Sequence, residues 1–214
     1  MTRVRRIGVG EVVEVFDGKG FAARARVASA GKNRVDLTVL GEPIADRVAP
    51  CRLTLATAVP KGERFDWLIE KATELGVARL VPLITERSVV DPRDAKLDRL
   101  RRLIVEAAKQ CGRNRLMELD SPTPWTALAR APAVATRLLA HPGGVPASAW
   151  RPIRHGAPVT LAIGPEGGFT EPEVALAVER GWQAVGLGAT LLRIETAGLA
   201  GSAAILALCG SSER

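Results

Sequence analysis

The feature that most limits how this chain can fold is an alternation that begins near residue 53. LTLATAV (53–59), RLVPLI (79–84), TRLLA (136–140), VTLAIG (159–164) and AVGLG (184–188) each read as a short buried strand. Between them lie segments of helical spacing. Residues 65–75 (FDWLIEKATEL) place Trp67, Leu68, Ala72 and Leu75 at helical intervals, and Gly76 stands where a C-terminal cap belongs. Residues 94–110 align Leu97, Leu100, Leu103, Ile104, Ala107 and Ala108 along one stripe. TEPEVALAVERG opens with a capping box of Thr170 and Glu173, has Pro172 in its first turn and stops at Gly181. A last helix covers 197–208. Strands separated by helices cannot pair as hairpins, so they assemble into a parallel sheet. The expected fold class is α/β.

The first fifty residues follow another pattern. EVVEVF (11–16), AARARVAS (22–29) and RVDLTVL (34–40) are punctuated by Gly18, Gly20, Gly31 and Asn33. They read as a small antiparallel β unit with tight turns. Pro43 and Pro50 follow in a polar stretch that reads as a linker. The expected organisation is a β domain over 1–50 and an α/β domain over 51–214, with no internal repeat.

Aromatic residues make up only 4% of the chain, so the core must come from Ala, Val, Leu and Ile. The net charge of +7 suits a polyanionic partner, because Lys and Arg displace counterions from phosphates. The excess gathers locally at Arg3, Arg5 and Arg6 and at Arg99, Arg101, Arg102, Lys109, Arg113 and Arg115. A solvated surface explains such clusters equally well. Cys51, Cys111 and Cys209 are odd in number and far apart, which fits a reducing cytoplasm and offers neither a disulfide framework nor a metal site. No apolar run approaches the roughly 18–20 residues of a membrane span. His141 and His155 have no partner constellation for nucleophilic catalysis, and no metal is expected.

Two late loops carry the chemistry. Gly164-Pro165-Glu166-Gly167-Gly168 follows a strand and precedes a capped helix. Gly188-Ala189-Thr190-Leu191-Leu192-Arg193-Ile194-Glu195-Thr196 follows the next strand and precedes the last helix. Each alone is an ordinary turn or helix start. Together they leave the same edge of a parallel sheet, where ligands bind, and their glycines let a ligand approach the backbone. The expectation is that neighbouring strands deliver both loops to one ligand. A Rossmann enzyme would instead carry its glycine-rich turn after the first strand, and Gly8-Val9-Gly10 is too short a match.

GPEGGF together with LGATLLRIETA resembles the signature of the RsmE family of 16S rRNA uridine-N3 methyltransferases, within the SPOUT superfamily. KGERFDWLIEKATELGV (61–77), PLITERSVV (82–90) and EAAKQCGRNR (106–115) agree with it, and the likeness covers residues 4–208. The resemblance implies a trefoil-knotted parallel sheet preceded by a PUA-like β domain that grips RNA. It implies S-adenosylmethionine as cofactor, a homodimer, and a uridine of small-subunit ribosomal RNA as substrate. It also implies that the β domain lacks its first segment, since Val4-Arg5-Arg6 matches a stretch that relatives reach some tens of residues in. A SPOUT enzyme acting on another RNA, and a non-catalytic RNA-binding protein on the same scaffold, are the competing readings.

Carried onto this chain, the cofactor residues are Gly164, Pro165, Glu166, Gly167, Gly168, Leu187, Gly188, Leu192, Arg193, Thr196 and Ala197. Uracil N3 holds a proton at neutral pH and must lose it to attack a methyl group. Arg193 is the candidate to stabilise the base, with Glu195 or Glu166 as proton acceptor. A helix N-terminal carboxylate explains Glu195 equally well. N3 also lies on the pairing edge, so the base must be unpaired or flipped. Candidate RNA contacts are Arg3, Arg5, Arg6, Arg24, Arg26, Gln110 and Arg113. Glu106, Gln110 and Arg113 are spaced to share one helix face.

Overall fold

The computed structural model describes residues 8–32, 34–46, 49–91, 97–132 and 136–210. Arg3, Arg5 and Arg6 lie outside them. Two compact units divide the chain between residues 47 and 48, with Gly112–Leu116 belonging to the first.

The first unit holds β1 (Val12–Phe16), β2 (Phe21–Ala30) and β3 (Val35–Ala45), antiparallel in that order. Ala22, Ala25 and Val27 of β2 point inward, while Arg24 and Arg26 are exposed. β3 continues through Pro43, where a linker was expected. Among the described residues β3 is an edge strand, where a residue without an N–H is tolerated. The register shifts opposite Gly41, whose φ of 74° is left-handed. Residues 112–116 return to this unit, where Leu116 N donates to Gly18 O at 3.0 Å and Arg115 Nε lies 3.6 Å from Asp46 Oδ2.

The second unit holds β4 (Arg52–Ala58), α1 (Arg64–Leu75), β5 (Arg79–Ile84), α2 (Leu97–Cys111), β6 (Glu118–Leu119), β7 (Thr123–Pro124), α3 (Trp125–Arg130), β8 (Thr136–Val145), β9 (Pro158–Ile163), α4 (Glu171–Glu179), β10 (Gln183–Val185) and α5 (Ile194–Gly210). The strands form one parallel sheet in the order β10-β8-β9-β4-β5-β6, with β7 also on β5. Gly76, at φ 94°, ends α1 and donates to the last carbonyls, as its position in the sequence implied.

Alternation along the strands sends Leu55 and Leu161 toward α5, where Gly198 and Gly201 let the helix approach them closely. The opposite face packs Ala56, Val81, Leu83, Leu139 and Ala162 against Trp125, Phe169, Ala177 and Trp182. Trp125 stacks on Phe169 at 4.7 Å and meets Trp182 edge-on at 5.1 Å. Both indoles donate to buried carbonyls, Glu173 O at 3.2 Å and Ala129 O at 3.4 Å. Few aromatics are present, and three of them fill one side of this core. Arg137 is buried on β8, and its guanidinium donates to Ala129 O and Ala131 O at the end of α3 while lying over the Trp182 ring. Burial pushes its pKa down.

Three further expectations are corrected. α2 ends at Cys111 and Gly112 is left-handed at φ 69°, so Arg113 does not continue the helix face of Glu106 and Gln110. α5 begins at Ile194, which places Glu195, Thr196 and Ala197 inside its first turn instead of in a loop. The strands that precede the two glycine-rich loops are not neighbours, because β8 lies between β9 and β10. The crossover through α4 carries the chain over β8 before it re-enters the sheet at the edge. Among the described residues no helix is long and apolar enough to cross a membrane, and no cluster of His, Cys, Asp or Glu is placed to hold a metal.

Candidate active site

In a parallel sheet every strand releases its following loop at the same edge. Here β8, β9 and β10 are adjacent, and their loops enclose a cavity of about 480 Å³. That volume lies within the roughly 300–1,000 Å³ of small-molecule sites.

The loop after β9 supplies Ile163, Gly164, Pro165, Glu166, Gly167, Gly168 and Phe169. Gly164 must be small, since a Cβ there would stand 3.0 Å from the Phe169 ring. Gly168 N donates to Pro165 O at 2.8 Å, closing a turn in which Gly168 has a φ of 69°. Thr170 N then donates to Glu173 Oε2 at 2.9 Å, the capping contact that starts α4. The loop after β10 supplies Leu187 through Leu192, with Gly188 at φ 141° and a side opening onto free space. Ile194 and Ala197 close the wall from the start of α5.

Two further contributors were not singled out from the sequence. The broad end of β8 brings Ala140, His141 and Pro142. β8 pairs Leu139 with Ala184 and then Val145 with Val185, so residues 140–144 bow out at the cavity. His141 Nδ1 accepts the Gly143 N–H at 3.1 Å, which leaves Nε2 to carry the ring proton. Arg87, from the loop after β5, donates from Nη1 to Gly167 O at 2.7 Å. Arg87 follows the expected strand 79–84 and His141 the expected strand 136–140, but sequence alone does not say that those strands end beside the two glycine-rich loops.

Of the residues assigned to the cofactor, Gly164, Pro165, Glu166, Gly167, Gly168, Leu187, Gly188, Leu192 and Ala197 line the cavity. Arg193 and Thr196 do not, and both are exposed. Glu195 is buried and also stands apart from the lining. Its Oε1 is 3.9 Å from Arg64 Nη1, and Oε2 is buried without a hydrogen-bond partner. Its place in the first turn of α5 fits the favourable end of the helix dipole. Arg24, Arg26 and Gln110 are exposed, each within its own unit.

The comparisons agree with this geometry. Residues 47–206 match the model of the RNA methyltransferase domain, and residues 1–40 match that of the RNA methyltransferase PUA domain. A ribosomal RNA small subunit methyltransferase E from Synechocystis is 34% identical over 99% of this chain and 71% of its own length. The chain belongs to the ribosomal RNA small subunit methyltransferase E family. A second family member, from Bacillus subtilis, is 30% identical over 96% of this chain and 85% of its own. The family member from Neisseria gonorrhoeae, a crystal structure bound to S-adenosyl methionine, superposes with a TM-score of 0.87 and is 34% identical. That match covers 96% of this chain and 86% of the other. Membership of the methyltransferase E family rests on relatives that align with 96–99% of this chain, while the two domain models match residues 1–40 and 47–206.

Proposed function

We propose that this chain transfers a methyl group from S-adenosylmethionine to N3 of a uridine in small-subunit (16S) ribosomal RNA. The carrying observation is the glycine-rich cavity at the edge shared by β8, β9 and β10. The residues suit the cofactor. Cβ atoms on Gly168 and Gly188 would project into open space, so neither glycine is there to relieve crowding from the protein; their backbones are open to a ligand. Leu187 and Leu192 offer apolar walls, and loop N–H and C=O groups are available for an adenine edge and an amino-acid tail.

The bound cofactor supplies an electrophilic sulfonium methyl. The chain must hold a flipped uracil in line with it and take the N3 proton. Glu166 is exposed at the cavity wall, whereas Glu195 is buried away from it, so Glu166 is the proton acceptor in this reading. Arg193 projects from the loop after β10 and stabilises the negative charge that spreads onto the uracil oxygens.

The same reading includes the division into a PUA-like domain over 1–50 and a SPOUT domain over 51–214. It includes the trefoil knot that the family resemblance implies. It includes a homodimer, supported by Leu191, 86% exposed beside the cavity, and by an apolar hollow formed by Trp150, Leu187, Ala200 and Ala204. Arg24, Arg26, Gln110 and Arg113 serve as RNA contacts, and a cytoplasmic site of action follows from the substrate.

The test is mass spectrometry of 16S rRNA and of small subunits after incubation with the protein and cofactor. The expected product is a uridine methylated at N3, with transfer by Arg193→Ala reduced at least roughly 10²-fold. A methyl group on a ribose 2′-oxygen, or full activity in Arg193→Ala, overturns the assignment.

A further inference from the structure

Among the described residues, Arg87 is the one Lys or Arg that lines the cavity. The chain holds it there by construction. β5 ends at Ile84, and the next residues form a tight turn in which Thr85 N donates to Ser88 Oγ at 3.0 Å and Ser88 N to Thr85 O at 3.2 Å. The turn is pinned from outside by Glu173, a buried carboxylate in the first turn of α4. Its Oε1 accepts Glu86 N at 3.0 Å while its Oε2 accepts Thr170 N. Arg87 therefore leaves a fixed backbone. Its stem lies along Gly167, where a Cβ would stand 3.3 Å from Arg87 Cδ, and its Nη1 donates to Gly167 O.

A guanidinium carries five N–H donors in a planar fork. The Gly167 carbonyl uses one edge of it. No carboxylate among the described residues lies within ion-pair distance of Arg87. A rigidly placed cation with spare donors at a cavity wall selects a ligand group that is anionic and planar. Given the cofactor reading above, on which this rests, the ligand offers one such group. S-adenosylmethionine has two cationic centres, the sulfonium and the ammonium, and a single carboxylate. Placing Arg87 against either cation would be repulsive, so the favourable orientation turns the amino-acid carboxylate toward it.

We infer that Arg87 is the residue that binds the amino-acid carboxylate of the cofactor, and that Glu173 acts through Glu86 as its positioning residue. The consequence is selectivity. A ligand that keeps the adenosine and sulfonium but lacks the carboxylate should bind poorly, whatever its fit to the glycine loops.

The test is calorimetric titration of the full chain with S-adenosylmethionine and, separately, with its decarboxylated form, for wild type, Arg87→Met and Arg87→Lys. Thermal melting of each variant checks folding, which exposure of Arg87 leads us to expect unchanged. Wild type should prefer the intact cofactor at least about tenfold, as for a hydrogen bond to a charged group. Arg87→Met should lose that preference by weakening only the intact cofactor, and Arg87→Lys should keep part of it. Equal weakening of both ligands would show that Arg87 merely props Gly167, and the inference falls. Unchanged affinities with weaker retention of 16S rRNA on filters would assign the guanidinium to a phosphate, which also overturns it. Failure of wild type to bind either ligand would remove the cofactor reading itself, and this inference with it.

Discussion

Glu173 Oε1 accepts the backbone N–H of Glu86 at 3.0 Å, joining the first turn of α4 to the turn after β5 across 87 positions of chain. Its second oxygen holds Thr170 N at 2.9 Å. One buried carboxylate thus starts a helix and fixes a distant loop. Glu173→Ala would leave two N–H donors without an acceptor. The expected loss is about 2–3 kcal/mol of stability, read as a lower urea midpoint at constant m value. Glu173→Gln retains one acceptor oxygen but presents an amide donor to the other N–H, so it should recover less than half of that loss. Recovery to wild-type stability would show that the two contacts carry little energy.

Gly144 and Gly201 both sit in close quarters, yet their substitution should differ sharply. A Cβ on Gly144 would stand 2.3 Å from the Val185 carbonyl carbon and 2.5 Å from its nitrogen. Backbone cannot yield without parting β8 from β10. A Cβ on Gly201 would meet Leu161 Cδ2 at 2.6 Å, the far end of a side chain that can turn. Gly144→Ala should cost about 3 kcal/mol or more. Gly201→Ala should change stability by less than about 1 kcal/mol, since the helix propensity of Ala offsets the repacking. Thermal melting of the two variants side by side decides it, and equal melting temperatures would refute the distinction.

Cys51 and Cys209 are buried while Cys111 is exposed. Burial, with Cys209 alongside, pushes the Cys51 thiol up to about 12 from its usual value of 9.0. Folded protein at pH 8 should therefore react with iodoacetamide at Cys111 alone, and unfolded protein at all three. Because the folded state holds the Cys51 proton more tightly, this group's contribution to stability is complete below pH 9. It is then lost as pH rises toward 12, where the unfolded chain has released its proton. The stability difference between wild type and Cys51→Ala should shrink across that window. A difference independent of pH between 9 and 12 would contradict the raised value.

Local chemistry explains which elements were legible in the sequence. Gly76, the Thr170–Glu173 box and Gly181 announce helix ends by residue type, and the structure has caps there. α3 was missed because six residues after Pro124 are too few to display a period, and its first residue is a buried Trp. The glycine-rich half of the site was legible because glycines mark backbone that a ligand can reach. Arg87 and His141 were not, since their place depends on sheet order, and nothing local says that β8 separates β9 from β10. Arg193, expected among the cofactor contacts, does not line the cavity. One-residue steps along a tightening helix start turn alternate side chains into and away from a cavity, and spacing alone does not say which.

The cavity draws on Arg87, His141, the loop after β9, the loop after β10 and Ala197 of the final helix. Its last wall is thus made after every strand of the sheet, by Ile194 and Ala197 at the start of α5. Because translation delivers the N-terminal part first, no nascent intermediate ending before α5 owns a complete site. Methyl donor capture therefore requires α5 to be present and docked on the sheet, and a fragment that stops short of Ile194 has an open-walled site.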